Sequence, residues 1–280
     1  MLTLKSIDDI LAVIAELKAQ SKSIGFVPTM GALHRGHLSL VDLAKSQCDI
    51  CVASVYVNPA QFNDPSDLEK YPRTMEEDIY KLQKKGAHIL FAPHDGEMLK
   101  RAEDVKFLLP KLPLFTEWEA AYRPGHFEGV LFIVHKLLSI IQPDTLVMGQ
   151  KDFQQFVICR WMTRSFFPNL RMVMGVTARE ENGLAMSSRN MRLAPEEIQK
   201  AAELYKSLLR ISESKDLDKQ CDIETSRLNE IEGVRVEYLS VAEINSLINS
   251  TVHVQSKRHV ILGALYMGDV RLIDNIITDN

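Results

Sequence analysis

The sequence predicts an α/β protein: an open parallel sheet over residues 1–176, then a smaller α+β domain over 177–280. Three observations carry this. Short apolar runs alternate with amphipathic helical patterns through roughly the first 175 residues. A glycine- and histidine-bearing stretch, Pro28 to His37, sits where an apolar run gives way to a helical pattern. After about residue 177 the rhythm changes to two helical segments followed by three strand-like runs.

The elements follow in order. Residues 1–17 carry Lys5, Asp8, Asp9 and Glu16 on a helix-like pattern, which is no secretory signal. The run Ile24-Gly25-Phe26-Val27 reads as a buried strand within 23–29, and a helix is expected over 36–46. A strand over 50–57, a helix over 74–85 and a short strand over 87–92 come next. Apolar residues at 130, 131, 133, 134, 137, 138, 140 and 141 predict a helix over 127–142, which Pro143 ends. A strand over 144–148, a helix over 152–167 and a strand over 171–177 complete the sheet. In the second domain, Pro195 suits a first helical turn, and Glu196 and Glu197 suit its positive end, so 194–212 reads as one helix. A second helix is expected over 218–231, with strands over 233–241, 259–267 and 270–275. Gly268-Asp269 between the last two is a hairpin turn.

Composition narrows the class. Apolar residues form 46 % of the 280, enough for a sizeable core rather than a disordered chain. The formal net charge is −4 with no basic block, which argues against a nucleic-acid partner. No apolar run reaches membrane-spanning length, and a reducing cytoplasm is the expected compartment. An acidic protein that takes anionic substrates must focus positive charge locally, and His34, Arg35, His37, Arg123, Lys151 and Arg189 are the candidates. Cys48 and Cys51 form a C-x-x-C, which could serve redox or zinc chemistry; Cys51 also opens an apolar run, where a small hydrophobe belongs.

The pattern H-x-G-H at His34–His37 stands where α/β folds bind phosphates, at a strand-to-helix turn with outward backbone N–H groups and a positive helix end. Gly36 permits close approach, and each imidazole can donate to a phosphate oxygen. Asn58-Pro59-Ala60-Gln61-Phe62 follows the next strand, where Gln61 offers a donor and an acceptor to a hydroxylated small molecule; a plain turn is the other reading. Gly149-Gln150-Lys151-Asp152 ends another strand. Lys151 can neutralise phosphate, and Asp152 can hold Mg²⁺ or cap the helix, with Gln155 one turn on; a capped helix start is the bland alternative. Gly183 to Asn190 is small-residue-rich and carries Ser187, Ser188 and Arg189, suited to a mobile segment over a nucleotide or to a linker. Arg123-Pro124-Gly125-His126 combines a cation and a histidine at a helix entry. Glu76-Glu77-Asp78 reads as a solvated helix face, with a metal role as the second choice.

Together the segments P-T-M-G-A-L-H-x-G-H, V-N-P-x-Q-F, Y-P-R-T at 71–74, R-P-G-H-F, G-x-K-D-x-Q-Q and G-L-A-M-S-S-R-N resemble the pantoate–β-alanine ligase family of the cytidylyltransferase-like superfamily. They run in family order from 28 to 190, whereas the C-terminal ninety residues match only in general character. The resemblance implies a Rossmann-like N-terminal domain, a C-terminal lid domain and a homodimer. It implies ATP, pantoate and β-alanine as substrates, with Mg²⁺ at Asp152. By motif, Met30, His34, His37, Gly149, Lys151, Asp152, Ala178, Met186, Ser187, Ser188 and Arg189 would contact ATP. Gln61, Gln155, Asn58, Arg123 and His126 would serve pantoate. Ala60 stands where the family often has Met, Gln150 where many members have Glu, and 95–122 lacks the patterns expected before R-P-G-H-F.

The implied chemistry has two steps. Pantoate carboxylate attacks the α-phosphorus of ATP, and the β-alanine amine then displaces AMP from pantoyl adenylate. Neither step needs a protein nucleophile. His34, His37, Lys151 and Arg189 would steady the developing charge. An adenylyltransferase for another small substrate, or a non-catalytic nucleotide-binding module, shares H-x-G-H and is the alternative.

Overall fold

The computed structural model describes residues 1–100, 107–244 and 258–278. Strands are β1 (Leu2–Leu4), β2 (Ile24–Thr29), β3 (Ile50–Val55), β4 (Ile89–Phe91), β5 (Thr145–Gly149), β6 (Arg171–Gly175), β7 (Val234–Glu243), β8 (His259–Met267) and β9 (Val270–Thr278). Helices are α1 (Ile7–Ala19), α2 (Arg35–Gln47), α3 (Pro65–Glu69), α4 (Met75–Lys85), α5 (Asp95–Lys100), α6 (Pro113–Thr116), α7 (Glu119–Tyr122), α8 (His126–Ile141), α9 (Phe153–Phe166), α10 (Pro195–Ala201), α11 (Glu203–Ser212) and α12 (Leu217–Asn229). Two compact units result: Met1–Gly149 with Gln154–Gly175, and Gln150–Phe153 with Val176–Asn280. The turn after β5 thus belongs with the second unit.

The first unit is built on a parallel six-stranded sheet in the order β1-β4-β3-β2-β5-β6. From β2 the chain runs outward through β3 to β4, then returns to lay β5 on the other side of β2. That reversal between β2 and β5 is the switch point of an open sheet, and ligands bind outside the carboxyl ends of strands there. The H-x-G-H stretch follows β2, and Gly149 ends β5. One core forms where Val41 and Ala44 of α2 and Leu82 of α4 meet Val27, Ala53, Leu90 and Val147 of the sheet. Helix α8 is buried except along a narrow stripe of Glu128, Phe132, His135 and Ser139, which explains why most of its surface is apolar. No single described helix is long and apolar enough to cross a membrane.

The second unit pairs α10–α12 with the antiparallel sheet β7-β8-β9. Leu204, Leu208 and Ile211 of α11 form its core with Ile261, Leu265 and Leu272.

The expected strands and long helices are present, with two differences. Residues 2–4 are a strand paired to β4, not the start of a helix; Ser6 caps α1, its side chain accepting the N–H groups of Asp8 and Asp9. The helix expected over 194–212 is two helices that meet at Ala202. Of 95–122, residues 95–100 form α5, 113–116 and 119–122 form the single turns α6 and α7, and 101–106 lie outside the described residues.

Candidate active site

The turn after β2 is shaped by Asp78. Gly31 and Ala32 are both left-handed, at φ +83° and +48°, and the second is unfavourable for a residue with a Cβ. Asp78, wholly buried in α4, accepts the N–H of Ala32 at 2.9 Å and of Leu33 at 2.7 Å, one per carboxylate oxygen. Lys81, one turn on, donates to the Leu33 carbonyl at 2.6 Å. Asp78 is therefore no solvated face, as Glu76-Glu77-Asp78 suggested; it is the inner support of the turn. Its signal was available: it lies one helical turn before buried Leu82, on the apolar side of α4.

His34 is the N-cap of α2 and His37 its third residue. His34 Nδ1 accepts the N–H of Gly36 at 3.2 Å, and His37 Nδ1 accepts the N–H of His34 at 3.4 Å, closing a reciprocal capping box. The rings lie 4.0 Å apart at 37°. With both Nδ1 atoms accepting, each ring carries its N–H on Nε2. The N–H groups of Ala32, Leu33, His34 and Gly36 are held by protein acceptors.

Gln61 is the centre of a second cluster. It sits in a single 3-10 turn, Pro59–Gln61, directly after the β3 segment. Its amide Nε2 lies 2.6 Å from the sulfur of Met30. Asn58 Nδ2 reaches its Oε1 at 3.4 Å and the Gly129 carbonyl at 3.0 Å. His126 Nδ1 lies 2.7 Å from the Gln61 carbonyl, and Arg123 Nη2 donates to the same oxygen at 3.4 Å. Asn58 and His126 are buried, and Arg123 also pairs with Glu119 at 3.5 Å. These three residues brace Gln61. Gly129 makes the arrangement possible, since a Cβ there would lie 2.3 Å from the Ala60 carbonyl oxygen. In the next helix, buried Gln154 accepts the Glu119 N–H at 2.9 Å and donates to the Leu114 and Glu117 carbonyls at 2.8 and 2.9 Å. Its neighbour Gln155 is half-buried, with no hydrogen bond from its amide among the described residues.

In the second unit Lys151 lies 3.8 Å from Asp152, at 18 % and 47 % side-chain exposure. Residues 178–186 form a tight hairpin: Met186 donates to the Ala178 carbonyl, Glu180 to Leu184 and Gly183 to Glu180, at 2.8–2.9 Å. Gly183, at φ +95°, makes the bend. Ser187 accepts the Arg189 N–H at 3.2 Å and opens the short helix Ser188–Arg192. The segment expected to be mobile thus has its own hydrogen-bonded shape. Two buried polar atoms near it, Thr177 Oγ1 and Asn190 Oδ1, make no hydrogen bond among the described residues.

Arg179, missed in the sequence, anchors this hairpin. It pairs bidentately with Asp274 at 2.5 and 3.0 Å, donates to the Gly183 carbonyl at 3.1 Å and stacks on Tyr205 at 3.5 Å. Burial pushes the Asp274 carboxyl up, and the Arg179 bonds oppose that. A polar Asp-Asn pair inside the apolar strand Val270–Thr278 was its only sequence signal.

Among the described residues no group of three His, Cys, Asp or Glu side chains could hold a metal. A single half-exposed carboxylate at Asp152 suits Mg²⁺ that arrives on a polyphosphate, because Mg²⁺ keeps most of its shell from phosphates and water. Both cysteines of the C-x-x-C are free thiols; Cys51 is buried in β3, and that burial pushes its thiol up to about 12.

The pantoate-beta-alanine ligase family model matches residues 2–277. The chain is 39 % identical over 282 residues to the pantothenate synthetase of Cytophaga hutchinsonii, covering 99 % of both chains. It is 40 % identical to that of Bacteroides thetaiotaomicron, covering 99 % of this chain and 98 % of the relative. The crystal structure of pantothenate synthetase from Thermus thermophilus superposes with a TM-score of 0.87 at 36 % identity, covering 99 % of both chains. The pantoate-beta-alanine ligase of Francisella tularensis, complexed with beta-gamma ATP and beta-alanine, gives 0.83 at 34 % identity, covering 100 % of this chain and 98 % of that one.

Proposed function

The chain belongs to the pantoate-beta-alanine ligase family and is an ATP-dependent ligase that joins pantoate to β-alanine; we propose that it does so through a pantoyl-adenylate intermediate, with the residues below. Pantoate carboxylate attacks the α-phosphorus of ATP and expels pyrophosphate. The β-alanine amine then attacks the acyl carbonyl, and AMP leaves. Family membership decides against an adenylyltransferase that keeps the nucleotide on its product.

The observation that carries the site assignment is the reciprocal cap of His34 and His37. It sets both Nδ1 atoms as acceptors of backbone N–H groups, so that each ring carries its N–H on Nε2 at the switch point of the sheet. Preorganised donors stabilise charge developing on phosphate oxygens without reorganising during the reaction. Lys151 and Arg189 neutralise charge on the phosphates, with Met30, Gly149, Ala178, Met186, Ser187 and Ser188 forming the rest of the ATP contacts. Gln61 and Gln155 hold the hydroxyls and carboxylate of pantoate. Asn58, Arg123 and His126 contribute through Gln61. Asp152 would share Mg²⁺ with the phosphates, where the ion offsets phosphate charge. A homodimer working in the cytoplasm belongs to the same reading, supported by the motif resemblance, and sedimentation equilibrium tests the oligomer.

The test is to incubate protein, ATP and Mg²⁺ with pantoate, with and without β-alanine. AMP and pantothenate should accumulate only with both. Pantoate alone should release about one pyrophosphate per active site, the stoichiometry of a held adenylate. Absence of that burst would exclude the adenylate as an intermediate that forms before β-alanine acts.

A further inference from the structure

Asp274 and Asn275 are adjacent in β9 and almost wholly buried, at 4 % and 1 % exposure. A polar pair in the middle of a strand needs partners, and both residues have them. Asn275 Nδ2 donates to the carbonyls of Gln150 and Lys151, each at 2.9 Å. Its Oδ1 accepts from Gln150 Nε2 at 3.2 Å, and its own N–H donates to Asp274 Oδ1 at 2.8 Å. The Asp274 carboxylate carries Arg179, which anchors the hairpin described above. Successive strand side chains leave on opposite faces, so one dipeptide can reach two segments. Here those segments are the Gln150–Asp152 turn and the hairpin leading to Arg189.

We propose that Asp274-Asn275 is the positioning element for the nucleotide-contact segments of the second unit, with Asn275 setting the place of Lys151. The proposal rests on Lys151 serving the phosphates of ATP. The chemistry is specific to an amide. Two carbonyls of one turn need two donors on one atom, and the third partner, Gln150 Nε2, needs an acceptor. An aspartate has no donor, and an alanine leaves two carbonyls without their buried partner. Lys151 has a long flexible side chain, so fixing its backbone limits where the ammonium can go.

The test is a double-mutant cycle between Asn275→Ala and Lys151→Ala, read by kcat/KM for ATP, KM for pantoate, calorimetric binding of a non-hydrolysable ATP analogue, and Tm. Asn275→Ala should lower kcat/KM for ATP by about 10- to 100-fold and weaken analogue binding, with pantoate KM changed by less than about twofold. In the Lys151→Ala background the same substitution should add almost nothing. A full additive loss, an equal loss toward both substrates, or an unchanged ATP constant in folded Asn275→Ala would overturn the proposal. Should Asn275→Ala fail to fold, Gln150→Ala takes its place in the cycle. It removes one bond and keeps both carbonyl contacts, and its smaller loss should likewise vanish in the Lys151→Ala background. Lys151→Ala with unchanged ATP constants would show instead that Lys151 does not serve the phosphates, and the proposal would fall with that reading.

Discussion

The Asp78 carboxylate in α4 binds the N–H of Leu33 at 2.7 Å, across 45 positions of sequence. With the second bond, to Ala32, it holds two consecutive left-handed residues directly ahead of the histidine pair. Asp78→Asn keeps the shape but sets an amide N–H₂ against one backbone N–H. One buried donor is then unsatisfied, so unfolding free energy should fall by about 1–3 kcal/mol in urea titration. Because the turn also aims His34 and His37, kcat should drop even where the variant is fully folded. Wild-type kcat in folded Asp78→Asn would show that the clamp serves stability alone.

His34→Ala and His37→Ala should each lower kcat by about 10²–10³ in steady-state assays, as expected for loss of one preorganised donor. Each also removes one bond of the reciprocal cap: His34→Ala removes the acceptor for the Gly36 N–H and should cost about 1 kcal/mol of stability, a typical N-cap loss, and His37→Ala removes the acceptor for the His34 N–H. A variant that turns over at the wild-type rate excludes that histidine from the phosphates.

Gly129→Ala tests the seat of Gln61. A methyl 2.3 Å from the Ala60 carbonyl must push the Pro59–Gln61 turn off α8. Overpacking of this kind costs about 1–3 kcal/mol, readable in thermal unfolding. Displaced Gln61 should raise KM for pantoate more than KM for ATP. Equal changes in both constants would mean that Gln61 does not serve pantoate.

Thiol titration at about pH 8 should find one reactive cysteine in the native protein. Cys51 and Cys159 are buried and pushed up to about 12, and Cys221 to about 11, so none is appreciably thiolate there. Cys48 is half-buried at the end of α2 and should react alone. Modified Cys48 should leave turnover unchanged, as expected of a thiol outside the chemistry. Fast labelling of a second thiol, or zinc retained through gel filtration, would restore a role for the C-x-x-C.

Much of this protein follows from local sequence. Strand and helix periodicity places the parallel sheet, because burial selects apolar residues at spacings that the chain itself records. The H-x-G-H and Gln61 segments are legible for the same reason: their residues are close in sequence and their chemistry needs particular side chains. What supports them is not local. Asp78 meets Ala32 and Leu33 only after β2, β3 and α4 have packed, and an acidic triplet at a helix start looks solvated until then. Gln154 and Gln155 are adjacent in sequence, yet packing ties the first to Leu114, Glu117 and Glu119 and leaves the second half-buried. Asn275 lies 124 residues from Lys151, and neither spacing nor composition announces that one holds the other. The residues proposed for the chemistry are written in short stretches of chain. What holds them in place came only with the fold, because a buried hydrogen bond depends on which distant segments meet.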